Sequence, residues 1–305
     1  MDSFDYFEAD IESFILDLDR TEITKKSYKK VLTKFSNYLK LRNICEPKTR
    51  HVIEYKNYLD KTLAPISIQK VIVILRVFFR YEARNNKYND ITVGISFKKI
   101  TKVMKRDHLT RDNVIALIDI AKSHSNESID SYRNYVLTCV LATTGLRTIE
   151  IERSEVTDLD KDESSYILYV RGKGRDDKSE YVKLSDEVYG LIETYLSKRN
   201  DSYLPLFITH GHNSYGEALK TRSIREIIKN FLLEAGLENK NLSAHSLRHF
   251  LCSEILRTGG TLEEAQQVLR HRDISTTQIY NHSLERSKND SEIRVSNLLF
   301  VKKEE

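Results

Sequence analysis

The sequence predicts a mainly α-helical protein with one small β-sheet, divided into two domains. Three observations support this fold class. Only three prolines and ten glycines interrupt 305 residues that are rich in helix-forming Lys, Glu, Leu and Ile. The length exceeds that of one typical hydrophobic core. A single stretch, residues 163–185, has the β-branched and aromatic character of strands.

The N-terminal third predicts four helices. An acidic amphipathic helix spans residues 4–19, and a basic helix follows, with Thr24 as its N-cap. A third helix is predicted over 48–61, and a fourth, opened by Pro65, runs to about Asn85. These helices form a small bundle over residues 1–94, which is the first predicted domain.

Charge is divided unevenly along the chain. Residues 1–19 hold seven acids and no base, residues 20–106 hold 22 bases against 6 acids, and the rest holds 27 bases against 32 acids. A segment so basic is expected of a domain that neutralises phosphates, whereas a solvated helix surface usually mixes its charges more evenly. The candidate DNA contacts are Lys25, Lys26, Lys29, Lys30, Lys34, Lys70, Arg76, Arg80, Lys102, Lys105, Arg106 and Arg270.

Residues 95–109 have no clean helical or strand period and hold five bases, so they predict a basic interdomain linker. A second domain is predicted over 110–290. It begins with a helix capped by Thr110, followed by a helix that is apolar nearly all round and is closed by Gly145.

Residues 163–185 predict a β-hairpin, with strands at Tyr166–Val170 and Tyr181–Leu184. Lys173 lies in the Gly-Lys-Gly turn between them, a position that by itself favours a solvated turn residue. Helices return over 185–198, 217–235, 245–257 and 261–270. The last begins with Thr261-x-x-Glu264, a capping box.

Five short segments of the second domain carry candidate functional residues. They are "TTGLRTIEI" with Arg147, "VRGKGR" with Lys173, "AHSLRH" with His245 and Arg248, "LRHRD" with His271, and "TTQIYNH" with Tyr280. His245 and Arg248 are three apart on one predicted helix and therefore share a face. Each segment alone is a weak signal, but the ordered set is specific.

This ordered set resembles the tyrosine recombinases of the integrase/Xer type. That family has an arginine in a TGLR-x-x-E segment, a hairpin lysine, His-x-x-Arg, a second histidine after Leu-Gly, and a tyrosine nine residues later. All six positions have a matching residue here. The resemblance covers the whole chain, because the family also places a helical DNA-clamping domain before the catalytic one. Here Arg270 replaces the glycine, where it could contact DNA or point to solvent.

The residue types suit attack on a phosphodiester. Guanidiniums match the nonbridging oxygens, which favours Arg147 and Arg248 as the groups that stabilise their charge. A tyrosine hydroxyl needs a base, and the near-neutral pKa of histidine suits His245 for proton transfer. The resemblance implies that Lys173 protonates the leaving 5′-hydroxyl and that His271 hydrogen-bonds the phosphate. It also implies that Tyr280 forms a 3′-phosphotyrosine, without ATP, metal or other cofactor.

The resemblance also implies the partners. They are double-stranded DNA with specific recombination sites and other copies of this chain. Four copies form a homotetramer on two duplexes, which exchanges strands through a Holliday junction. Accessory DNA-bending proteins are further possible partners. The first domain is then a SAM-like four-helix core-binding domain. Residues 291–305 contain a small apolar group and are expected to pass between subunits, although they could also fold back on their own domain.

Composition argues against several other classes of protein. No apolar run approaches the ~20 residues that span a bilayer, and the acidic N-terminus lacks a signal-peptide pattern. Three widely spaced cysteines fit a reducing cytoplasm and not a disulfide framework. His245 and His249 are four apart, but Ser246 stands where a zinc protease has its glutamate, so no metal is expected.

Three rival functions stay open at this point. They are a type IB topoisomerase, a non-catalytic DNA-binding relative and a metal nuclease. The biological role is open between chromosome-dimer resolution, integration of a phage or mobile element, and DNA inversion. No additional arm-binding domain fits before residue 20, which favours a simple, Xer-like or small-element recombinase. The expected location is the cytoplasm.

Overall fold

The structure, a computed structural model, describes residues 3–97, 108–162, 165–171, 180–238, 241–270 and 291–300. The chain forms two compact units, residues 1–102 and 103–305. Helices dominate both units, and the second also holds a three-stranded sheet. The predicted fold class, mainly α with a small β-sheet, is confirmed. Among the described residues, no helix combines the length and the hydropathy that a membrane span requires.

Four helices build the first unit: α1 (Ser3–Asp17), α2 (Glu22–Leu41), α3 (Thr49–Asp60) and α4 (Pro65–Arg84). Helix α2 begins earlier than predicted. The extended residue that precedes it is Thr21, not Thr24, and Glu22 lies in the first turn. The helix dipole favours a carboxylate at this end. Pro65 opens α4, where its missing N–H costs no helical hydrogen bond.

The core of the first unit is largely aromatic. Phe7 and Phe14 of α1 pack edge-on against Phe78 of α4, with ring centroids 5.5 and 5.4 Å apart. All three rings are buried, and aromatic burial of this kind stabilises a small core strongly. Ile95 is buried in the same core. The first unit therefore extends into the segment that the sequence assigned to the linker.

Eight helices are described in the second unit: α5 (Arg111–Ser123), α6 (Ile129–Thr144), α7 (Thr148–Glu152), α8 (Asp186–Arg199), α9 (Thr221–Glu234), α10 (Ala244–Arg257), α11 (Leu262–Leu269) and α12 (Ser291–Phe300). Thr110 and Thr261 cap α5 and α11 as predicted, each accepting from the third residue of its helix. Helix α9 starts later than the predicted residue 217. Leu219 precedes it in an extended segment and donates its N–H to the Phe207 carbonyl at 2.8 Å.

The sheet is antiparallel, in the order β1 (Leu159–Asp162), β2 (Ser165–Val170), β3 (Glu180–Leu184). The predicted hairpin strands are β2 and β3, with Leu168 opposite Val182. Strand β1 was not predicted, because "LDKD" lacks the apolar alternation that marks a strand; it forms by pairing with β2 at the edge. Residues 172–179, which contain Lys173, lie outside the described residues.

Helix α6 is the centre of the second core, buried nearly all round as its composition predicted. It ends at Gly145, whose φ of 60° is a left-handed conformation that favours glycine. A Cβ on Gly145 would lie 2.8 Å from Leu269 Cδ2 and 3.0 Å from Leu251 Cδ2. The glycine therefore lets the end of α6 approach α10 and α11 closely, and the next turn carries Arg147.

Candidate active site

Arg147 immediately precedes α7, where the chain leaves the buried end of α6. Its backbone N–H donates to Glu150 Oε2 at 2.8 Å, and its Nη1 donates to Glu150 Oε1 at 2.7 Å. The Arg147 side chain is 29% exposed, whereas that of Glu150 is fully buried. The carboxylate thus holds both the backbone and the side chain of the arginine and leaves part of the guanidinium accessible.

Arg248 extends from α10 into the space between the ends of α6 and α11. Its Nη1 donates to the Gly145 carbonyl at 2.5 Å, and its Nη2 donates to the Leu269 carbonyl. The side chain is buried, and among the described residues its Nε has no hydrogen-bond partner. Burial and the nearby charge of Arg147 lower the pKa of Arg248 to about 9. A buried cation hydrogen-bonded to neutral carbonyls is stabilised when an anion approaches it.

His245 lies one turn before Arg248 on α10, on the same face. Its ring keeps contact with solvent and meets the His249 ring edge-on, with centroids 4.3 Å apart. Desolvation by the surrounding protein and the positive charge of Arg248 lower the pKa of His245 below its usual value, with Arg147 and Arg225 adding to the effect. The imidazole is therefore largely neutral at pH 7 and able to accept a proton.

Glu150 is a functional residue to which the sequence analysis assigned no role, although it stands in the TGLR-x-x-E segment. Burial favours its neutral form, but Arg270 and the hydrogen bonds from Arg147 hold the pKa of Glu150 below its ordinary range. It is therefore a buried carboxylate that keeps its charge. The signal in the sequence was its spacing of three from Arg147, which is the reach of an N-terminal capping interaction.

Arg270 does not point to solvent, one of the two orientations that the sequence allowed. Its side chain is 5% exposed and its Nη2 donates to Glu150 Oε2 at 2.9 Å. Its Nη1 donates to the Val268 carbonyl at 2.8 Å. The charge of Arg270 is already paired with the buried carboxylate of Glu150, which does not favour the DNA contact that the sequence allowed as the other orientation. Its backbone is left-handed, with φ 52°, so an arginine occupies a conformation that favours glycine.

The structure therefore brings together three of the six predicted catalytic residues, Arg147, His245 and Arg248. The other three, Lys173, His271 and Tyr280, lie outside the described residues. So do the candidate DNA contacts Lys102, Lys105 and Arg106. Two guanidiniums beside a neutral imidazole suit the binding of a phosphate and the transfer of a proton next to it. In the described part of the chain, no group of three or more His, Cys, Asp or Glu residues could hold a metal ion.

The predicted basic face of the first unit is partly occupied by acids of α1. Glu12 Oε1 lies 2.7 Å from Lys29 Nζ, and Lys25 pairs with Glu22 within α2 at 3.7 Å. The other lysines that the sequence singled out on α2 and α4 are exposed and carry no ion pair with a described residue: Lys26, Lys30, Lys34 and Lys70. These four ammonium groups are accessible to phosphates.

The two arginines predicted on α4 have partners within the first unit. Arg76 Nη2 donates to the Ile95 carbonyl at 2.9 Å, and its guanidinium lies 5.1 Å from the centre of the Phe97 ring. Arg80 Nε lies 3.6 Å from Asp90 Oδ2, and its side chain is 63% exposed. Arg76 thus holds the segment after α4 in place, while Arg80 keeps most of its surface open to solvent.

Comparison with known proteins places these features in a family. Residues 107–287 match the phage integrase family. The tyrosine recombinase XerD of Staphylococcus epidermidis is 31% identical over 264 residues, which covers 84% of this chain and 86% of that protein. XerD of Brucella melitensis is 31% identical over 284 residues, covering 86% and 87%. A crystal structure of the XerH site-specific recombinase bound to palindromic difH substrate has a similar fold, with a TM-score of 0.72 at 21% identity, covering 88% of this chain and 80% of that one.

Proposed function

This chain belongs to the phage integrase family of tyrosine recombinases, and we propose on that basis that it breaks and rejoins DNA at specific sites. The observation that supports the proposal most directly is the junction of α6, α7 and α10. There Arg248 bonds to Gly145, two residues before Arg147, and both arginines lower the pKa of His245. The segments that match the family pattern supply both guanidiniums and the imidazole.

In the proposed reaction the Tyr280 hydroxyl oxygen attacks the phosphorus of the scissile phosphodiester. A bond forms between that oxygen and phosphorus, and the bond from phosphorus to the 5′ oxygen breaks. His245 takes the phenol proton, and Lys173 gives a proton to the leaving 5′ oxygen. The product is a 3′-phosphotyrosine, which conserves the bond energy until a 5′-hydroxyl reverses the step. The roles of Lys173, His271 and Tyr280 rest on the family resemblance.

Arg147 and Arg248 stabilise the charge that develops on the nonbridging oxygens during this attack. Arg147 is suited to the role because Glu150 holds it while part of its guanidinium stays exposed. Arg248 is suited because it is already desolvated, so a phosphate that reaches it interacts in a low dielectric and not in water. His271 is proposed to add a hydrogen bond to the same phosphate.

The first unit, whose core includes Ile95, is proposed to clamp the DNA, with the rest of the basic segment 95–109 as a linker to the catalytic domain at 110–290. Phosphate neutralisation supplies most of the affinity of such a clamp. The accessible lysines Lys26, Lys30 and Lys34 recur every four residues and so follow one face of α2. Double-stranded DNA with two specific sites is the proposed substrate, in the cytoplasm of a bacterium or in the context of a mobile element.

Strand exchange is proposed to pass through a Holliday junction in a homotetramer, with residues 291–305 docking into a neighbouring subunit. On α12 the residues Ile293 and Val295 are 59% and 55% exposed in the single chain. They are two positions apart and lie on different faces of the helix, so the support for exchange of the tail is the family resemblance.

The proposal is tested by trapping the covalent intermediate. Sequencing the DNA that the protein binds in cells identifies its site, and a duplex nicked beside that site prevents religation. We expect wild type to form an adduct that resists denaturation, and Tyr280→Phe to bind the same DNA without forming it. An adduct in Tyr280→Phe would assign the nucleophile elsewhere. Tyr215, 46% exposed, would be tested before Tyr195, which is fully buried and hydrogen-bonded to His210.

The same assay separates the rival functions. A type IB topoisomerase would form the adduct and relax supercoils but would not recombine two sites. A non-catalytic relative would bind the duplex without any adduct. A metal nuclease would lose its cleavage in EDTA. Recombination of two specific sites in EDTA, with loss of the reaction in Tyr280→Phe, is the outcome expected of a tyrosine recombinase.

A further inference from the structure

Three elements of the second unit meet at the Arg270 guanidinium. Arg270 follows α11, its Nη2 bonds to Glu150 on α7, and its Nε lies 3.9 Å from Glu180 Oε2 at the start of β3. The Arg270 and Glu150 side chains are 5% and 0% exposed, so this pair is held inside the protein. The backbone of Arg270 is left-handed, with φ 52°, a conformation that is unfavourable for a residue with a Cβ.

The hydrogen bonds of Glu150 show what Arg270 does to the carboxylate. Oε2 accepts from Arg270 Nη2 and from the Arg147 backbone N–H, and Oε1 accepts from Arg147 Nη1. With Oε2 held from two sides, the carboxylate cannot rotate, and Oε1 stays directed at the guanidinium of Arg147. Arg270 therefore acts on the geometry of Arg147 through one shared carboxylate.

Charge balance gives Arg270 a second effect. Glu150 carries one negative charge, and without Arg270 only Arg147 would form an ion pair with it among the described residues, with Arg248 nearby. With Arg270 present, three guanidiniums (Arg147, Arg248 and Arg270) surround one buried carboxylate. Glu180 is farther away and 35% exposed, so solvent screens its contribution. The cluster keeps an excess of positive charge for a phosphate that gains negative charge during attack.

We infer that Arg270 is a positioning residue for the reaction, which orients Arg147 through Glu150 and shares the negative charge of Glu150, so that the cluster keeps positive charge for the scissile phosphate. This inference rests on the proposed function. It assigns Arg270 no contact with DNA. The competing explanation is that Arg270 only packs the end of α11, in which case its loss would change stability but not the rate of cleavage.

The test compares Arg270→Gly with Arg270→Lys in the full-length protein. Asn200→Gly is the matched control, because Asn200 is also a left-handed residue at a helix end, with φ 47°, and it is exposed. The measured quantities are the single-turnover rate of adduct formation on saturating nicked duplex, the Kd for that duplex, and the hydrogen exchange rate of the Arg147 amide.

For Arg270→Gly we expect the adduct rate to fall about tenfold, which corresponds to the loss of one positioning interaction, while the Kd changes less than about twofold. The Arg147 amide should exchange faster, because its acceptor Glu150 loses a partner. Arg270→Lys keeps a donor for Oε2 and should recover part of the rate, and Asn200→Gly should match wild type. Because Arg270→Lys keeps the charge, its intermediate rate tests the inference even if Arg270→Gly does not fold.

An adduct rate in Arg270→Gly within about twofold of wild type would overturn the inference, as would an Arg270→Lys rate as low as that of Arg270→Gly. Absence of any adduct from wild type would instead refute the proposed function. Exchange at the Arg147 amide does not depend on cleavage, so it still decides whether Arg270 acts on Arg147: unchanged exchange in both variants excludes the coupling.

Discussion

Arg248 Nη1 donates a hydrogen bond of 2.5 Å to the carbonyl oxygen of Gly145, so that α10 is joined to the turn that presents Arg147. The bond needs the close approach that the missing Cβ of Gly145 permits. One backbone carbonyl therefore connects the two predicted phosphate-binding arginines, and the turn after α6 is part of the site.

Gly145→Ala should destabilise the protein and slow adduct formation. The alanine Cβ would meet Leu269 Cδ2 at 2.8 Å and would have to adopt φ 60°. Strain of this kind costs on the order of 1–3 kcal/mol. Urea denaturation of the full-length protein measures the loss.

The matched control is Gly190→Ala in α8, where a Cβ has nothing within 4 Å. This change should stabilise the protein by about 0.5–1 kcal/mol, as expected for alanine in a helix. Equal effects of the two substitutions would contradict the role given to the turn at Gly145.

The helices could be predicted from the sequence more completely than strand β1 or the surroundings of the site. The helix after Thr110 and the helix closed by Gly145 were predictable, because caps and apolar periodicity are local signals. Strand β1 was not, since its four residues form a strand only by pairing with β2. Arg147, His245 and Arg248 could be selected from short segments with family-like spacing.

The environment of Arg270 could not be predicted in the same way. Its partner Glu150 lies 120 positions earlier, and no local pattern indicates which buried carboxylate an arginine will meet. The sequence shows a charged residue at the end of α11 and predicts exposure, because unpaired arginines are rarely buried. Tertiary packing brings Glu150 to Arg270, so Arg270 is buried and not exposed as expected.

The rate of adduct formation should have an acid limb below pH 6.5. If His245 accepts the proton, only its neutral form is active, and desolvation, Arg248 and the other nearby arginines lower its pKa. Removing one of these charges in Arg225→Gln should raise the pKa of His245, so the acid limb should move to higher pH while the rate at pH 8 stays the same. Because Arg225 is exposed, added salt should reduce the movement. Single-turnover rates across pH 5–8 measure it.

Arg222→Gln is the control for this pH profile, since Arg222 is an exposed arginine of the same helix, α9, and is not among the charges that lower the pKa of His245. The pH profiles of Arg225→Gln and Arg222→Gln should therefore differ. If they coincide, then either His245 is not the proton acceptor or the charge of Arg225 does not act on it.

Glu82→Gln should stabilise the protein more at pH 8 than at pH 5. Glu82 is fully buried, and desolvation together with the charge of Asp10 raises its pKa to about 7. In the unfolded chain its pKa is near 4.5. Between pH 4.5 and about 7 the unfolded chain loses this proton while the folded protein keeps it, so the stability of wild type falls as the pH rises. Above about pH 7 both states have lost the proton, and the stability falls no further. The difference should amount to roughly 2 kcal/mol. Thermal denaturation at both pH values measures it.

Glu54→Gln provides the matched control, because Glu54 lies exposed on α3 of the same unit. Its effect should be equal at the two pH values. If the Glu82→Gln and wild-type stability curves run parallel between pH 5 and pH 8, Glu82 does not bind a proton on folding.

Lys30→Gln/Lys34→Gln should weaken binding to DNA, more at low salt than at high salt. The two lysines are exposed on α2 and have no ion pair with a described residue. If each neutralises one phosphate, the slope of log Kd against log salt should fall by about 1.8. The control is Lys161→Gln/Lys198→Gln, whose ammonium groups lie over the rings of Tyr166 and Tyr132. Equal slopes in both double variants would show that Lys30 and Lys34 are solvated and do not contact phosphates.

Removal of residues 291–305 should abolish recombination between two sites but not binding to one site. Ile293 and Val295 are more than half exposed on α12. Removing these two side chains therefore costs the single chain little buried surface. If four apolar side chains of the tail are buried in a neighbouring subunit, they contribute on the order of 6 kcal/mol before entropy costs. That is enough to decide whether a synaptic complex of two duplexes forms.

Removing only 302–305 spares the apolar group and should preserve the complex. Gel shifts with one and two duplexes distinguish these states, and a protein lacking 291–305 that still recombines at the wild-type rate would exclude exchange of the tail.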